Sequence, residues 1–216
     1  MKALSPHQTD KHASWAFAES RPDEDDVMLR ARERSADLGI EPVSEGTAAL
    51  LTVLAATRSP ATLVEIGTGA GVSGLALMRG LARTSMLTTI DPDAEALRAA
   101  REAFADGGFP ANRTRMITGR ARTVVPRLNS QSYDLVFIDA DKASLVFHVE
   151  QAARLLRPGG LLVVSDALDQ DRVPKPAVRE ASTVAAREAG KLLRDDDQWF
   201  SALVPTGTGV LAAVRR

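Results

Sequence analysis

The segment Leu63-Val64-Glu65-Ile66-Gly67-Thr68-Gly69-Ala70-Gly71-Val72-Ser73 constrains the fold more than any other stretch of the chain. A short apolar run carrying one acid breaks into a loop with three glycines, and helix-like sequence, Leu75-Ala76-Leu77-Met78, follows. Glycine lacks a Cβ and tolerates positive φ, so such a loop lets backbone N–H groups approach a ligand closely. A second apolar run, Met86-Leu87-Thr88-Thr89-Ile90, then ends at Asp91. An acid at the tip of the next parallel strand is placed to hold the two hydroxyls of a ribose. Together these features point to a nucleoside ligand without saying which one.

Strands and helices go on alternating from Thr62 onward. Strands are expected at 63–66, 86–90, 113–118, 135–139 and 161–165, separated by helices at 73–82, 94–104, 121–128 and 145–155. The continuous apolar run Leu135-Val136-Phe137-Ile138 suits a strand covered on both faces, and therefore a central parallel sheet. Arg157-Pro158-Gly159-Gly160 predicts a tight helix-to-strand connection, and a long helix is expected over about 177–193. Near the C-terminus, 200–204 and 209–214 flank Pro205-Thr206-Gly207-Thr208 and read as a hairpin. The expected architecture is α/β and Rossmann-like: a mostly parallel seven-stranded sheet, helices on both faces, and a C-terminal antiparallel hairpin.

The segment ahead of this unit reads differently. Residues up to Pro22 are polar and weakly patterned. Asp23-Glu24-Asp25-Asp26 places acids in the first turn of a helix running toward Leu38, with Gly39 as its stop. Ser44 is a candidate N-cap for a second helix with Leu50, Leu51, Val53 and Leu54 on its apolar face. Residues 1–43 thus form an N-terminal helical cap or tail, and 44–216 the ligand-binding unit of a single-domain protein.

Composition removes several function classes. A chain of 216 residues fits one well-filled α/β domain. Its 27 basic and 28 acidic residues nearly cancel and no basic stripe stands out, which argues against nucleic-acid binding. No apolar run is long enough to span a bilayer. Met1-Lys2-Ala3-Leu4-Ser5-Pro6-His7 lacks the apolar stretch of a signal peptide, so a cytoplasmic location is expected. The absence of cysteine excludes disulfides, thiolate zinc sites and a cysteine nucleophile.

Gly69-Ala70-Gly71-Val72-Ser73-Gly74 is a strict G-x-G-x-x-G, which alone would suggest NAD. Three features oppose NAD. A hairpin stands where a dehydrogenase has its second βαβ half. Glu65 lies where a carboxylate can accept bonds from an amine-bearing ligand. Asp139-Ala140-Asp141 brings further acids to the same edge. A zwitterionic, cationic cofactor such as S-adenosylmethionine suits that edge better than a pyrophosphate does.

Here a family resemblance becomes specific. The glycine-loop segment, Thr89-Ile90-Asp91, Val136-Phe137-Ile138-Asp139-Ala140-Asp141-Lys142, and Leu155-Leu156-Arg157-Pro158-Gly159-Gly160 running on to Ser165-Asp166 resemble landmarks of one group. That group is the cation-dependent O-methyltransferases, typified by caffeoyl-CoA and catechol O-methyltransferases and their bacterial relatives, within the class I S-adenosylmethionine-dependent methyltransferases. The resemblance implies methyl transfer to a hydroxyl of a small, catechol-like aromatic acceptor, and a homodimer with the N-terminal helices near its interface. By the same resemblance Glu65, Gly67, Thr68, Gly69 and Ser73 hold the methionine part of the cofactor, and Asp91 holds the ribose. Gly119 and Arg120 lie by the adenine, while Val43 and Ser44 close the pocket. Asp139 touches the cofactor and, with Asp166, ligates Mg²⁺ or another divalent cation; Lys142 is the general base.

Several of these residues carry a plainer reading. Asp91 also suits a helix N-cap, with Pro92 at the first helical position. Asp139 and Asp166 also suit turn acids, Lys142 a solvated surface lysine, and Asp141 a solvent-facing acid. Trp15, Trp199 and Phe200 are either walls for a flat acceptor or packing residues, and the loop 168–175 is the expected variable rim. His148 reads as structural, and His7 and His12 carry no signal. The chain also departs from the family pattern. Ala167 stands where the pattern has Asn after the fifth strand's Asp, and Ser144-Leu145 stand where it has Asn-Tyr. An oxygen ligand is thereby lost, which weakens a hard cation's site. The alternative function is therefore a dimeric S-adenosylmethionine-binding relative whose metal and acceptor sites have eroded.

Overall fold

The computed structural model describes residues 10–216; His7 lies outside them. Seven strands form one sheet in the order β3-β2-β1-β4-β5-β7-β6. They are β1 (Thr62–Ile66), β2 (Met86–Asp91), β3 (Thr114–Thr118), β4 (Tyr133–Ile138), β5 (Leu156–Val164), β6 (Trp199–Val204) and β7 (Val210–Arg215). The first five pair in parallel. The hairpin strand β7 runs antiparallel to both β5 and β6. The expected α/β architecture with its closing hairpin is the one observed.

Side chains alternate across each strand, and that period of two divides the core. Val64, Ile66, Val136, Ile138, Leu162 and Val164 face one cluster, shared with α7 (Leu145–Leu155) and α8 (Ala181–Asp195). Leu63, Leu135, Phe137, Leu161 and Val163 face the other. That second cluster is built with α2 (Asp26–Asp37), α3 (Glu45–Arg58), α4 (Val72–Arg79) and α5 (Ala94–Asp106). Both faces of the central strands are covered, which is why they read as unbroken apolar runs.

Register places the chemistry. Ile66 of β1 pairs with Ile90 of β2 on one side and with Ile138 of β4 on the other, and Ile138 pairs with Val164 of β5. The residues that follow, Gly67, Asp91, Asp139 and Ser165, therefore share one rim at the carboxyl ends of the strands. The chain leaves β1 on one side and β4 on the other there, so this is the sheet's topological switch point, where open α/β sheets bind ligands.

Four local differences from the sequence reading have physical causes. Residues Lys11–Glu19 form a helix, α1, N-capped by Asp10, which accepts from the Ala13 N–H at 2.9 Å. It buries no residue and so left no apolar periodicity to find. The expected helix at 121–128 is one short turn, α6 (Ala121–Val124), continued as a 3₁₀ turn over Val125–Arg127 because Pro126 lacks a donor. The connection Arg157–Gly160 is no loop: β5 starts at Leu156, and these residues bulge from the strand where its register with β4 shifts. Finally, α8 begins at Ala181 rather than near 177, after Val178 N–H bonds back to the Lys175 carbonyl in a turn.

Candidate functional site

The glycine loop is shaped by crowding at the rim. Gly67 has φ +94°, and a Cβ there would overlap the Asp139 carbonyl oxygen. Only glycine lets β1 and β4 turn off this close together. The strand ends are tied in sequence: Gly67 N–H donates to Ile90 O, Asp139 N–H to Ile66 O, and Ser165 N–H to Ile138 O, at 2.8–2.9 Å. Gly71, with φ +93°, starts α4 without a side-chain cap, so the first-turn amides of that helix stay open toward the loop.

Asp91 fastens the loop to β2. Its Oδ2 accepts from the N–H groups of Thr68 (2.9 Å) and Gly69 (3.0 Å), and its Oδ1 accepts from Asp93 N–H (2.9 Å). The cap of α5 is instead Asp93, which accepts from Glu95 N–H at 2.8 Å. Asp91 is therefore not the N-cap and is left on the rim beside the loop.

Glu65 underlies the loop. It is fully buried beneath the loop, where its carboxylate accepts from Ser73 Oγ–H and Thr89 Oγ1–H, both at 2.6 Å. Burial pushes it up to about 7 against those two hydrogen bonds, with Asp139 and Asp91 adding to the rise. Its side chain supports the loop from below and is absent from the lining of both cavities.

Two cavities meet at this rim. One, of about 240 Å³, is lined by Gly67, Thr68, Gly69, Val72, Ser73, Asp91, Ala96 and Asp139 on the sheet side. Ile40, Glu41, Pro42 and Val43 cover it from the link between α2 and α3. The second, of about 370 Å³, is lined by Ser44, Thr47, Lys142, Ser165, Asp166, Gln170, Gly207 and Thr208. Asp139, Glu41, Pro42 and Val43 border both. Ser44 caps α3 as expected, accepting from Thr47 N–H at 3.1 Å.

Asp139 opens into both cavities, and its carboxylate accepts no hydrogen bond from the described residues. Burial raises it to about 6; Lys142 opposes that shift, whereas Asp166 and Glu41 add to it. Lys142 Nζ lies 3.3 Å from Asp166 Oδ2 and donates to the Ser165 carbonyl at 3.1 Å. Asp166 Oδ1 accepts from Gln170 N–H at 3.0 Å.

Other expected residues fall elsewhere. Gly119 is tied to the rim by its N–H on Asp91 O at 2.9 Å, but neither it nor Arg120 lines a cavity. Trp199 is packed in the core, Phe200 is exposed on the edge strand β6 under Arg216, and Trp15 lies on α1. The aromatic walls expected of them are absent from the second cavity, whose lining holds no aromatic residue. Asp141 is exposed, as read from the sequence; His148 lies on α7 and is fully buried rather than at the surface or partly buried. Ile40, Glu41 and Pro42 were missed. They belong to a linker without a motif, and the only cue was the helix stop at Gly39.

A hard divalent cation takes six or more oxygen ligands. Asp139 and Asp166 are two protein donors, and among the described residues no group of three His, Cys, Asp or Glu side chains converges to hold a metal. Ala167, 7% exposed, packs its methyl into the core instead of offering an oxygen. Lys142 on Asp166 and the methyl of Ala167 set these residues apart from the metal site that the resemblance implied.

A parallel sheet closed by an antiparallel hairpin, with a glycine loop at the switch point and an acid on the neighbouring strand, is the architecture of a class I methyltransferase. Comparison with known proteins agrees. The family model described as O-methyltransferase matches residues 20–216. A protein named probable O-methyltransferase in Mycobacterium tuberculosis (strain ATCC 25618 / H37Rv) is 48% identical over 201 residues, covering 93% of this chain and 90% of the relative. The crystal structure of a Corynebacterium glutamicum protein superposes with a TM-score of 0.86 at 34% identity, covering 94% of this chain and 96% of that one. The O-methyltransferase TomG of Streptomyces achromogenes, solved in complex with S-adenosylmethionine, gives 0.84 at 25% identity over 96% and 99% of the two chains. The chain belongs to the O-methyltransferase family.

Proposed function

We propose that the protein transfers a methyl group from S-adenosylmethionine to a hydroxyl of a small acceptor, the cofactor in the first cavity and the acceptor in the second. The observation that carries this reading is Asp139, a carboxylate without a hydrogen-bond partner on the wall the two cavities share. A sulfonium beside it gains an opposite charge, and an acceptor hydroxyl beside it gains a proton acceptor. The start of α4 and Asp91 suit the rest of the cofactor: the uncapped first-turn amides of α4 can meet its carboxylate, and Asp91, which accepts three backbone N–H bonds, keeps a lone pair for a ribose hydroxyl.

Methyl transfer from a sulfonium is an in-line displacement, in which the acceptor oxygen bonds the methyl carbon as the carbon–sulfur bond breaks. Its rate comes mainly from alignment. The wall from Glu41 to Val43 and the loop hold the two reactants on either side of Asp139. In this reading the hydroxyl proton passes to Asp139, because Lys142 is held as an ammonium against Asp166. No step is assigned to a metal.

Trp15 and Phe17, exposed on a helix that buries nothing, support a homodimer that covers them. No helix among the described residues is long and apolar enough to cross a membrane. Calorimetric titration tests the cofactor assignment: S-adenosylhomocysteine should bind with one site per chain and NAD should not. Radiolabelled methyl transfer to a panel of hydroxylated acceptors tests the activity. Cofactor binding with no transfer to any acceptor would favour the eroded relative.

A further inference from the structure

The second cavity already holds a cation, supplied by the chain. Lys142 comes from a 3₁₀ turn, Lys142–Ser144, just ahead of α7. That turn is pinned from outside the cavity. Asp141 accepts from Ser144 Oγ–H at 2.7 Å and from Ala143 N–H at 3.3 Å, and Ser144 Oγ accepts from Arg122 Nε–H at 3.1 Å. The side chain then reaches inward to Asp166 Oδ2 (3.3 Å) and the Ser165 carbonyl (3.1 Å). Asp166 is fixed in turn. Its backbone is left-handed, with φ +48°, and its Oδ1 accepts from Gln170 N–H. The chain after it is held by Ala167 N–H on Gly209 O at 2.8 Å and Leu168 N–H on Thr208 O at 3.0 Å.

Both oxygens of Asp166 are therefore engaged by donors of this chain, one of them an ammonium. The neighbouring position, where the resemblance led to an oxygen ligand, is a methyl group facing the core. A divalent cation at Asp166 would have to displace Lys142 and be repelled by it, with Asp139 as its other carboxylate. An ammonium has three donors and asks for no fixed coordination polyhedron.

We propose that the Lys142 ammonium is the resident cation of the acceptor cavity, doing there what a divalent metal was expected to do. It binds the acceptor oxygen and offsets the negative charge that develops as the proton leaves. The claim rests on the reading of the second cavity as the acceptor site. It also widens the substrate class. Chelation to a metal calls for two adjacent oxygens, whereas an ammonium needs one, so acceptors with a single hydroxyl qualify alongside vicinal diols.

Mn²⁺ is the probe, because free Mn²⁺ is counted directly by electron paramagnetic resonance as the full chain is titrated. The wild-type protein should bind it without stoichiometric saturation. Lys142→Met, which removes the ammonium from Asp166, should bind it at least about tenfold more tightly. Adding Ala167→Asn to that variant should tighten it again. Lys142→Gln serves as a second replacement, and unchanged S-adenosylhomocysteine binding shows that each variant is folded. Stoichiometric Mn²⁺ binding by the wild type, or a Lys142→Met variant that binds no more tightly than wild type, overturns the proposal. Failure of the cofactor to bind the wild type would instead strike the functional reading, since the Mn²⁺ titration reports on Asp139, Lys142 and Asp166 alone.

Discussion

The carboxylate of Asp91 accepts a hydrogen bond from the backbone N–H of Gly69 at 3.0 Å, joining the end of β2 to the loop that leaves β1. One oxygen of the same group also takes the Thr68 N–H, so a single side chain sets the loop's shape and marks the rim of the first cavity. Asp91→Ala should therefore weaken S-adenosylhomocysteine binding by about ten- to a hundredfold, the loss of one or two charge-assisted hydrogen bonds. Lys142→Met should leave that affinity unchanged and lower turnover. Calorimetry on both variants checks the division. Equal losses of affinity would contradict it.

Gly67 meets two demands at once, a φ of +94° and contact with the Asp139 carbonyl. Gly67→Ala should cost about 2–4 kcal/mol of unfolding free energy, as strain and overlap add. Denaturant unfolding measures this directly. A variant as stable as wild type would show that β1 and β4 are not packed this closely at the rim.

The buried Glu65 gives a pH dependence of known sign. Its pKa is raised from 4.5 to about 7 in the folded chain by burial, so the folded state holds the proton more tightly than the unfolded one. The stability this confers is fully present below about pH 4.5, falls as pH rises toward 7, and changes little beyond. The full span is about 3 kcal/mol. Glu65→Gln removes the titration while keeping an acceptor for Ser73 and Thr89. The difference in unfolding free energy between variant and wild type should therefore grow in favour of the variant from pH 4.5 to 7. A difference that stays flat with pH would mean that Glu65 does not titrate in this range.

Glu19 ties α1 to the hairpin turn that rims the second cavity. Its Oε1 accepts from Thr206 Oγ1–H at 2.6 Å and from Gly207 N–H at 2.7 Å, and α1 buries no residue of its own. Glu19→Ala should release the helix: amide exchange across 11–19 should quicken while S-adenosylhomocysteine affinity stays as in wild type. Exchange no faster than wild type would show that other contacts hold α1.

The sheet was legible because its signals are local and redundant. Runs such as Leu135-Val136-Phe137-Ile138 state their burial outright, and Pro205-Thr206-Gly207-Thr208 marks the hairpin turn. The rim was legible for the same reason: Gly67, Asp91, Asp139 and Asp166 each stand at or just beyond a strand end, and register brings them together. What escaped depends on contacts distant in sequence. Glu65 ends a strand that faces the rim, but the hydrogen bonds from Ser73 and Thr89 that hold its carboxylate beneath the loop are not announced by spacing. Glu41 sits between the cavities through the packing of α2 and α3, which no spacing in the chain announces. Trp199 and Phe200 are neighbours in sequence, yet one is in the core and the other on an exposed edge, and neither lines the two cavities.

The most direct measurement is a crystal structure of the chain grown with S-adenosylhomocysteine. The account predicts the ligand in the first cavity, its ribose on Asp91, its amino-acid end between the glycine loop and the first-turn amides of α4, and its sulfur on the side of Asp139. A cavity closed by its own side chains, or the ligand bound away from this rim, would contradict it.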